Sequence, residues 1–264
     1  MLGLGNSVTG AYLSSSLEPS DISGLDLWLQ ANKDIVGADG GASNDGDMAD
    51  GEDINSWADQ SGNDRHASQS TASQKPHWEA DAADFGGLKW TDDTADPHMD
   101  LATNVGGNTD NIEADEDFTI MMRVKITSFS SVNGLIGSTS SNVIKWANNK
   151  KVTTLIGGSG ASGFEESSDT LETDTYYIHT LTRSNRSTGN LTYRVHGGSY
   201  NDKSWDAEET HTDADAFTIN NIGCAADGVL PLEGVFKDVL VWKGTALSDS
   251  QRAAMYAYVL GQEY

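Results

Sequence analysis

Cysteine is almost absent from the 264-residue chain, in which Cys224 stands alone. One thiol excludes an intrachain disulfide and a cysteine-based zinc site. Its place in the strand-like INNIGCAAD predicts a small buried apolar side chain. Proline is scarce too: four residues in all leave no collagen-like or proline-rich linker. Sixteen Lys and Arg face forty Asp and Glu, a net charge of -24. Nucleic-acid phosphates need Lys/Arg patches, so no nucleic-acid partner is expected, and anionic membranes are disfavoured for the same reason. No run approaches the ~20 apolar residues that span a bilayer, so no membrane insertion is expected. The first twenty residues have neither a basic start nor an apolar core, so they read as no secretory signal.

What is present is a chain long enough to bury roughly 75% of the surface its unfolded form exposes. We read residues 21–264 as one domain, preceded by an extension over 1–20. The clearest pattern is DFTIMMRVKIT, where Phe118, Ile120, Met122, Val124 and Ile126 share one face, and Met121, Arg123 and Lys125 the other. Strict alternation predicts a central strand with one buried face. At about 1.5–3 kcal/mol per large apolar side chain, that face contributes roughly 8–15 kcal/mol before entropy. Shorter runs bounded by Gly, Asp or Pro include LDLWLQA, INSWAD, GGLKW, HMDLAT and GVFKDVLVW. NVIKWANN with KVTTLIGG, and TYYIHTLTR with NLTYRVHG, read as hairpins. One helix is expected after Ser248, which forms a capping box with Gln251 and starts a stripe of Met255, Tyr258 and Val259. The sum is an all-β sandwich of antiparallel sheets with a short C-terminal helix.

The stretch INSWADQSGNDRHASQSTASQKPHW puts a polar turn and a Gln/Ser/Thr tract between Trp57 and Trp78. Asp59, Ser61 and Asn63 are suited to hydrogen-bond the backbone of a tight turn around Gly62. This makes Trp57, Asp59, Ser61, Gly62 and Asn63 a structural turn, with two anchoring tryptophans. The alternative is a sugar-stacking surface. In order, LDLWLQAN, this turn, DFTIMMRVKI and LEGVFKDVLVWKGTALSDSQ resemble the concanavalin A-like, laminin G-like jelly rolls of bacteriophage virion proteins, including those of marine phages. The resemblance covers roughly residues 21–264. It implies a jelly-roll sandwich of two antiparallel sheets in a particle-surface protein, made in the host cytoplasm and carried on the virion.

Candidate chemistry is sparse. GADGGASNDGDMADGEDIN concentrates Asp45, Asp47, Asp50 and Asp53, a set that could hold calcium if the Gly-rich loop converges, or else a solvated acidic loop. No other cofactor is required. Glu79, Asp81 and Asp84 come within one conservative change of the E-x-D-x-x-E of retaining β-glucanases, but no catalytic residue is assigned and the chain is expected not to be an enzyme. Gly158-Ser-Gly160-Ala-Ser-Gly163 fits G-x-G-x-x-G but lacks a following helix and reads as a flexible turn. The six histidines include no H-x-x-x-H pair, and His179 and His196 read as surface-facing on strands. Leu2, Leu4, Val8, Tyr12 and Leu13 are expected to anchor an arm onto another virion protein, capsid or tail. The chain is expected to form homo-oligomers. A host-surface glycan is the partner in the alternative reading of an adhesion module, and a β-glucanase-like hydrolase is the third.

Overall fold

The computed structural model describes residues 17–37, 42–43, 48–80, 86–91, 96–102, 112–129, 131–139, 142–147, 152–156, 161–164, 171–184, 190–198, 200–205, 216–225 and 229–261. The strands of the first half are β1 (Leu25–Gln30), β2 (Ile35–Gly37), β3 (Ala42–Ser43), β4 (Ile54–Trp57), β5 (Ala67–Ser68), β6 (His77–Glu79), β7 (Gly87–Trp90), β8 (Met99–Leu101) and β9 (Phe118–Ile126). Those of the second are β10 (Asn133–Thr139), β11 (Asn142–Trp146), β12 (Val152–Leu155), β13 (Ala161–Phe164), β14 (Tyr176–Ser184), β15 (Asn190–Gly197), β16 (Tyr200–Trp205), β17 (Asn221–Ile222) and β18 (Gly234–Lys243). One helix, α1 (Asp249–Leu260), follows.

The strands form two antiparallel sheets of a β-sandwich. One runs β16-β15-β14-β9-β18-β7-β6, with β1 also paired to β18. The other runs β13-β12-β11-β10-β17-β8-β5-β4-β2-β3. Both expected hairpins form, β11 with β12 and β14 with β15. Near Lys237 the register of β18 against β9 shifts between Phe236 and Asp238. On its other edge β18 pairs β7 over Gly234–Phe236 and β1 from Asp238 onward. An irregularity at that point lets one long strand serve two short partners in turn.

The main core lies between the sheets. Phe118, Ile120, Met122, Val124 and Ile126 of β9 enter it with Phe236, Val239 and Val241 of β18 and with Trp57, Trp78, Trp90 and Trp146. Trp90 meets Phe236 edge to face, ring centroids 5.5 Å apart at 79°. Gly223 backs this pair: its φ of +82° suits glycine, and a Cβ there would collide with the Trp90 indole.

The second face of β9 is buried as well, which corrects the expectation of one buried face. Met121, with Ile178, Trp28, Leu240 and Trp242, packs under Met255, Tyr256, Tyr258 and Val259 of α1. Ser248 caps the helix as expected, accepting from Gln251 N while the Gln251 side chain accepts from Ser248 N. Arg252 joins the buried stripe beside the expected apolar residues. The helix therefore closes a second, smaller apolar layer on the outside of one sheet. Among the described residues no helix is long and apolar enough to cross a membrane.

Candidate functional site

The turn after β4 is built around one carboxylate. Asp59 is buried, and its Oδ1 accepts from the backbone N–H of Trp28 at 2.9 Å and of Ser61 at 2.9 Å. Its Oδ2 accepts from Ser61 Oγ at 2.7 Å and from Arg65 N at 3.1 Å. Ser61 Oγ also lies 3.2 Å from Asp26 O, and Asn63 Nδ2 reaches Leu25 O and Asp26 O. Arg65 completes the clamp through a 2.8 Å ion pair with Asp26. Gly62 turns the chain with a φ of +87°. The whole set ties the turn to β1 across some thirty residues of sequence and presents no unpaired nucleophile or base.

Trp57 is fully buried and Trp78 is 4% exposed, so neither indole offers a face to a sugar ring. That corrects the aromatic-stacking alternative. The polar residues beside and between the two tryptophans behave differently. Asn55, Ser68, Gln69, Ser70 and Lys75, joined by Asp100 of β8, line a surface groove of about 390 Å³ on the outside of the β3-to-β13 sheet. Ser68 and Asp100 are cross-strand partners, which places their side chains side by side.

Several groove side chains are held by neighbours. Asn55 Nδ2 donates to Gly37 O at 2.7 Å, which turns its carbonyl oxygen away from that strand. Gln69 accepts from Thr71 N at 2.9 Å and donates to His98 O at 3.2 Å. Asp100 Oδ1 accepts from Asn221 Nδ2 at 2.7 Å, while the Asp100 side chain stays 54% exposed. Asn221 Oδ1 is buried and has no hydrogen-bond partner among the described residues. The groove thus offers amide, hydroxyl, ammonium and carboxylate groups and, among the described residues, no aromatic wall. Sequence reasoning singled out this tract as polar but assigned it no role. The signal it missed is the pairing of β5 with β8, which brings Asp100 beside Ser68.

The remaining candidates scatter. Asp45 and Asp47 lie outside the described residues. Asp50 accepts from Ala80 N at 3.0 Å, and Asp53 pairs with His77 Nδ1 at 2.8 Å. No group of three or more His, Cys, Asp or Glu is placed to hold a metal among the described residues. Leu2, Leu4, Val8, Tyr12 and Leu13 also lie outside them, as do Asp81 and Asp84. Glu79 sits 2.7 Å from both Lys125 Nζ and Lys89 Nζ. Burial alone would raise its carboxyl, but the hydrogen bonds and charges of Lys125 and Lys89 outweigh it and hold the group below the usual value. A general acid needs the opposite shift.

His179 is not at the surface as expected. It is fully buried between the sheets, 2.8 Å from Tyr193 Oη and edge-on to Trp146. Burial pushes its imidazole down to about 3. His196 lies on the outer face, stacked on Tyr256 of α1 at 4.6 Å. Ala161–Phe164, within the glycine-rich stretch, is a strand paired to β12 rather than a turn.

No protein-family model matches the sequence, and no curated protein matches it significantly. The fold is similar to that of solved β-sandwich structures. Against Trypanosoma rangeli sialidase in complex with sialic acid, the chain aligns over 88% of its length at 16% identity, with a TM-score of 0.50. Against the binding domain of Botulinum neurotoxin DC in complex with rat synaptotagmin II, 92% aligns at 15% identity, with a TM-score of 0.54. The chain spans about a third of that sialidase chain and about half of that toxin domain. At this identity the likeness shows the fold alone. It does overturn the expectation that the chain is not an enzyme, because the same fold forms part of a sialidase chain and so excludes no enzyme. The chain is similar in fold to part of a sialidase and to a toxin binding domain.

Proposed function

We propose that the chain is a binding module whose groove over β4, β5 and β8 takes a neutral, hydroxyl-rich glycan. The observation that carries this is the groove's composition: two amides, two serine hydroxyls, one cation and one anion. Amide and hydroxyl groups in fixed positions match the alternating donors and acceptors of sugar hydroxyls. Lys75 and Asp100 cancel in charge, and the -24 net charge around them repels an acidic sugar. With no aromatic wall, recognition is by hydrogen bonds at ring edges rather than by face stacking.

The residues that carry the phage jelly-roll resemblance support a second, compatible reading about where the module resides. Trp57 to Asn63 and Gly234 to Gln251 serve as scaffold, clamping β1 and seating α1, and none lines the groove. We read the module as displayed on a virion, with residues 1–20 docking it to a capsid or tail protein. Mass spectrometry of purified particles tests this placement: presence in the particle supports it and absence refutes it.

The binding reading is tested on an array of neutral and sialylated oligosaccharides. The wild-type chain is expected to bind neutral members. Lys75→Ala is expected to lower binding at least tenfold at an unchanged melting temperature, and Asp100→Ala to lower binding as much while also lowering the melting temperature, because it strands the Asn221 amide. Equal binding by the variants, or binding confined to sialylated members, would refute it.

A further inference from the structure

The groove's carboxylate is held by a residue that does not itself line the groove. Asp100 sits on a row of directly paired positions that crosses the sheet. The row runs from Ser56 of β4 through Ser68 of β5 and Asp100 of β8 to Asn221 of β17. Next along it is Gly137 of β10, which brings no side chain. Adjacent strands lie about 4.8 Å apart, so side chains at directly paired positions reach one another. Along this row, Asp100 alone offers Asn221 a side-chain partner.

Asn221 is 1% exposed, and its Nδ2 donates to Asp100 Oδ1 at 2.7 Å. Its own Oδ1 has no partner among the described residues. A flipped amide would set that oxygen against the carboxylate, so the charge on Asp100 fixes which way the amide faces. The amide in turn fixes the carboxylate. His98 Nε2 lies 3.7 Å from the same Asp100 Oδ1, beyond hydrogen-bonding distance. Asn221 is therefore the one hydrogen-bond donor to the Asp100 side chain among the described residues, and Oδ2 is the oxygen left for a ligand. For the fold this amide does little. A buried carbonyl without a partner offsets what the single bond contributes, and an apolar side chain of the same outline would serve as well.

We propose that Asn221 is the positioning residue of the groove, its amide holding Asp100 in the one rotamer that turns Oδ2 to a ligand hydroxyl. This rests on the groove being the binding surface. An ionised carboxylate oxygen only accepts, so aiming Oδ2 also selects a sugar with a free hydroxyl at that point. The Asp100 side chain is 54% exposed, which leaves it room to turn once the amide is gone. Spread over three staggered rotamers, it is competent about a third of the time, and affinity falls about threefold.

The test is Asn221→Leu in the full chain, which removes the donor and the unpaired carbonyl together and keeps the heavy-atom outline. Binding to the neutral oligosaccharides of the array is expected to fall about threefold with no loss of melting temperature. In an Asp100→Ala background the same substitution is expected to change binding no further. A lower melting temperature with binding unchanged marks a purely structural amide and overturns the inference. A separate arm needs no ligand: NMR couplings of the Asp100 Hβ protons, which report its χ1 rotamer. One rotamer is expected in the wild type and several in Asn221→Leu, with Asn221→Ala as second variant should the first fold poorly. Averaged couplings in the wild type, or one rotamer kept in the variant, overturn the inference. No binding by the wild type removes the glycan reading, and the couplings then decide the positioning role alone.

Discussion

At the scale of single residues, Asp59 holds a turn to a strand. Four donors converge on its carboxylate, three of them backbone N–H groups and the fourth the Ser61 hydroxyl. Removing it strands buried donors, each worth about 1–3 kcal/mol when left unpaired. Asp59→Ala is expected to cost roughly 3 kcal/mol or more in urea unfolding, and a loss below about 0.5 kcal/mol would contradict the clamp. His179 makes a separate prediction. In the unfolded chain an imidazole takes up its proton near pH 6.5, whereas burial delays His179 to about 3. The unfolded state holds the extra proton in between. Stability from this group is therefore intact above about pH 6.5 and falls by about 1.4 kcal/mol per pH unit down to about 3. Unfolding free energies of wild type and His179→Phe, measured across that range, should converge as pH falls, and parallel curves would refute it. The sequence shows Asp59 inside a turn but not its reach to Trp28. His179 was misread because alternation tells which residues share a face, not which face is inside. Tyr177, Leu181 and Arg183 share its side, and both sides of β14 carry buried residues.

Among the elements, β9 and α1 define the second apolar layer. The period of β9 was readable in the sequence, and so was the helix with its cap. Their contact was not, because it joins segments more than a hundred residues apart and depends on the outward row of Met121 finding Met255 and Val259. Met121→Ala is expected to cost about 2–5 kcal/mol, as for other fully buried methionines. A cost near zero, again by urea unfolding, would mean that the helix does not seal this face. The acidic loop calls for its own measurement. Asp53 is engaged by His77 and Asp50 by Ala80 N. If the loop holds calcium through Asp45 and Asp47, millimolar calcium raises the melting temperature above that in chelator, since a ligand of the native state stabilises it. Identical melting curves would remove the calcium reading.

For the whole molecule, the sandwich supplies a rigid sheet and the groove supplies its chemistry. The fold was legible because period-two runs, turn residues and a capped helix all pointed the same way. The groove was not, because Asp100 comes from a strand thirty residues beyond Ser68 and only sheet pairing brings the two together. With a net charge of -24, the chain repels acidic ligands, so the glycan proposed for the groove, where Lys75 and Asp100 balance, is a neutral one. The most direct measurement is NMR of the full chain as neutral and sialylated oligosaccharides are titrated in. The account predicts shifts with neutral sugars that cluster at Asn55, Ser68, Gln69, Ser70, Lys75 and Asp100. Shifts clustered elsewhere, or none with any neutral sugar, would contradict it.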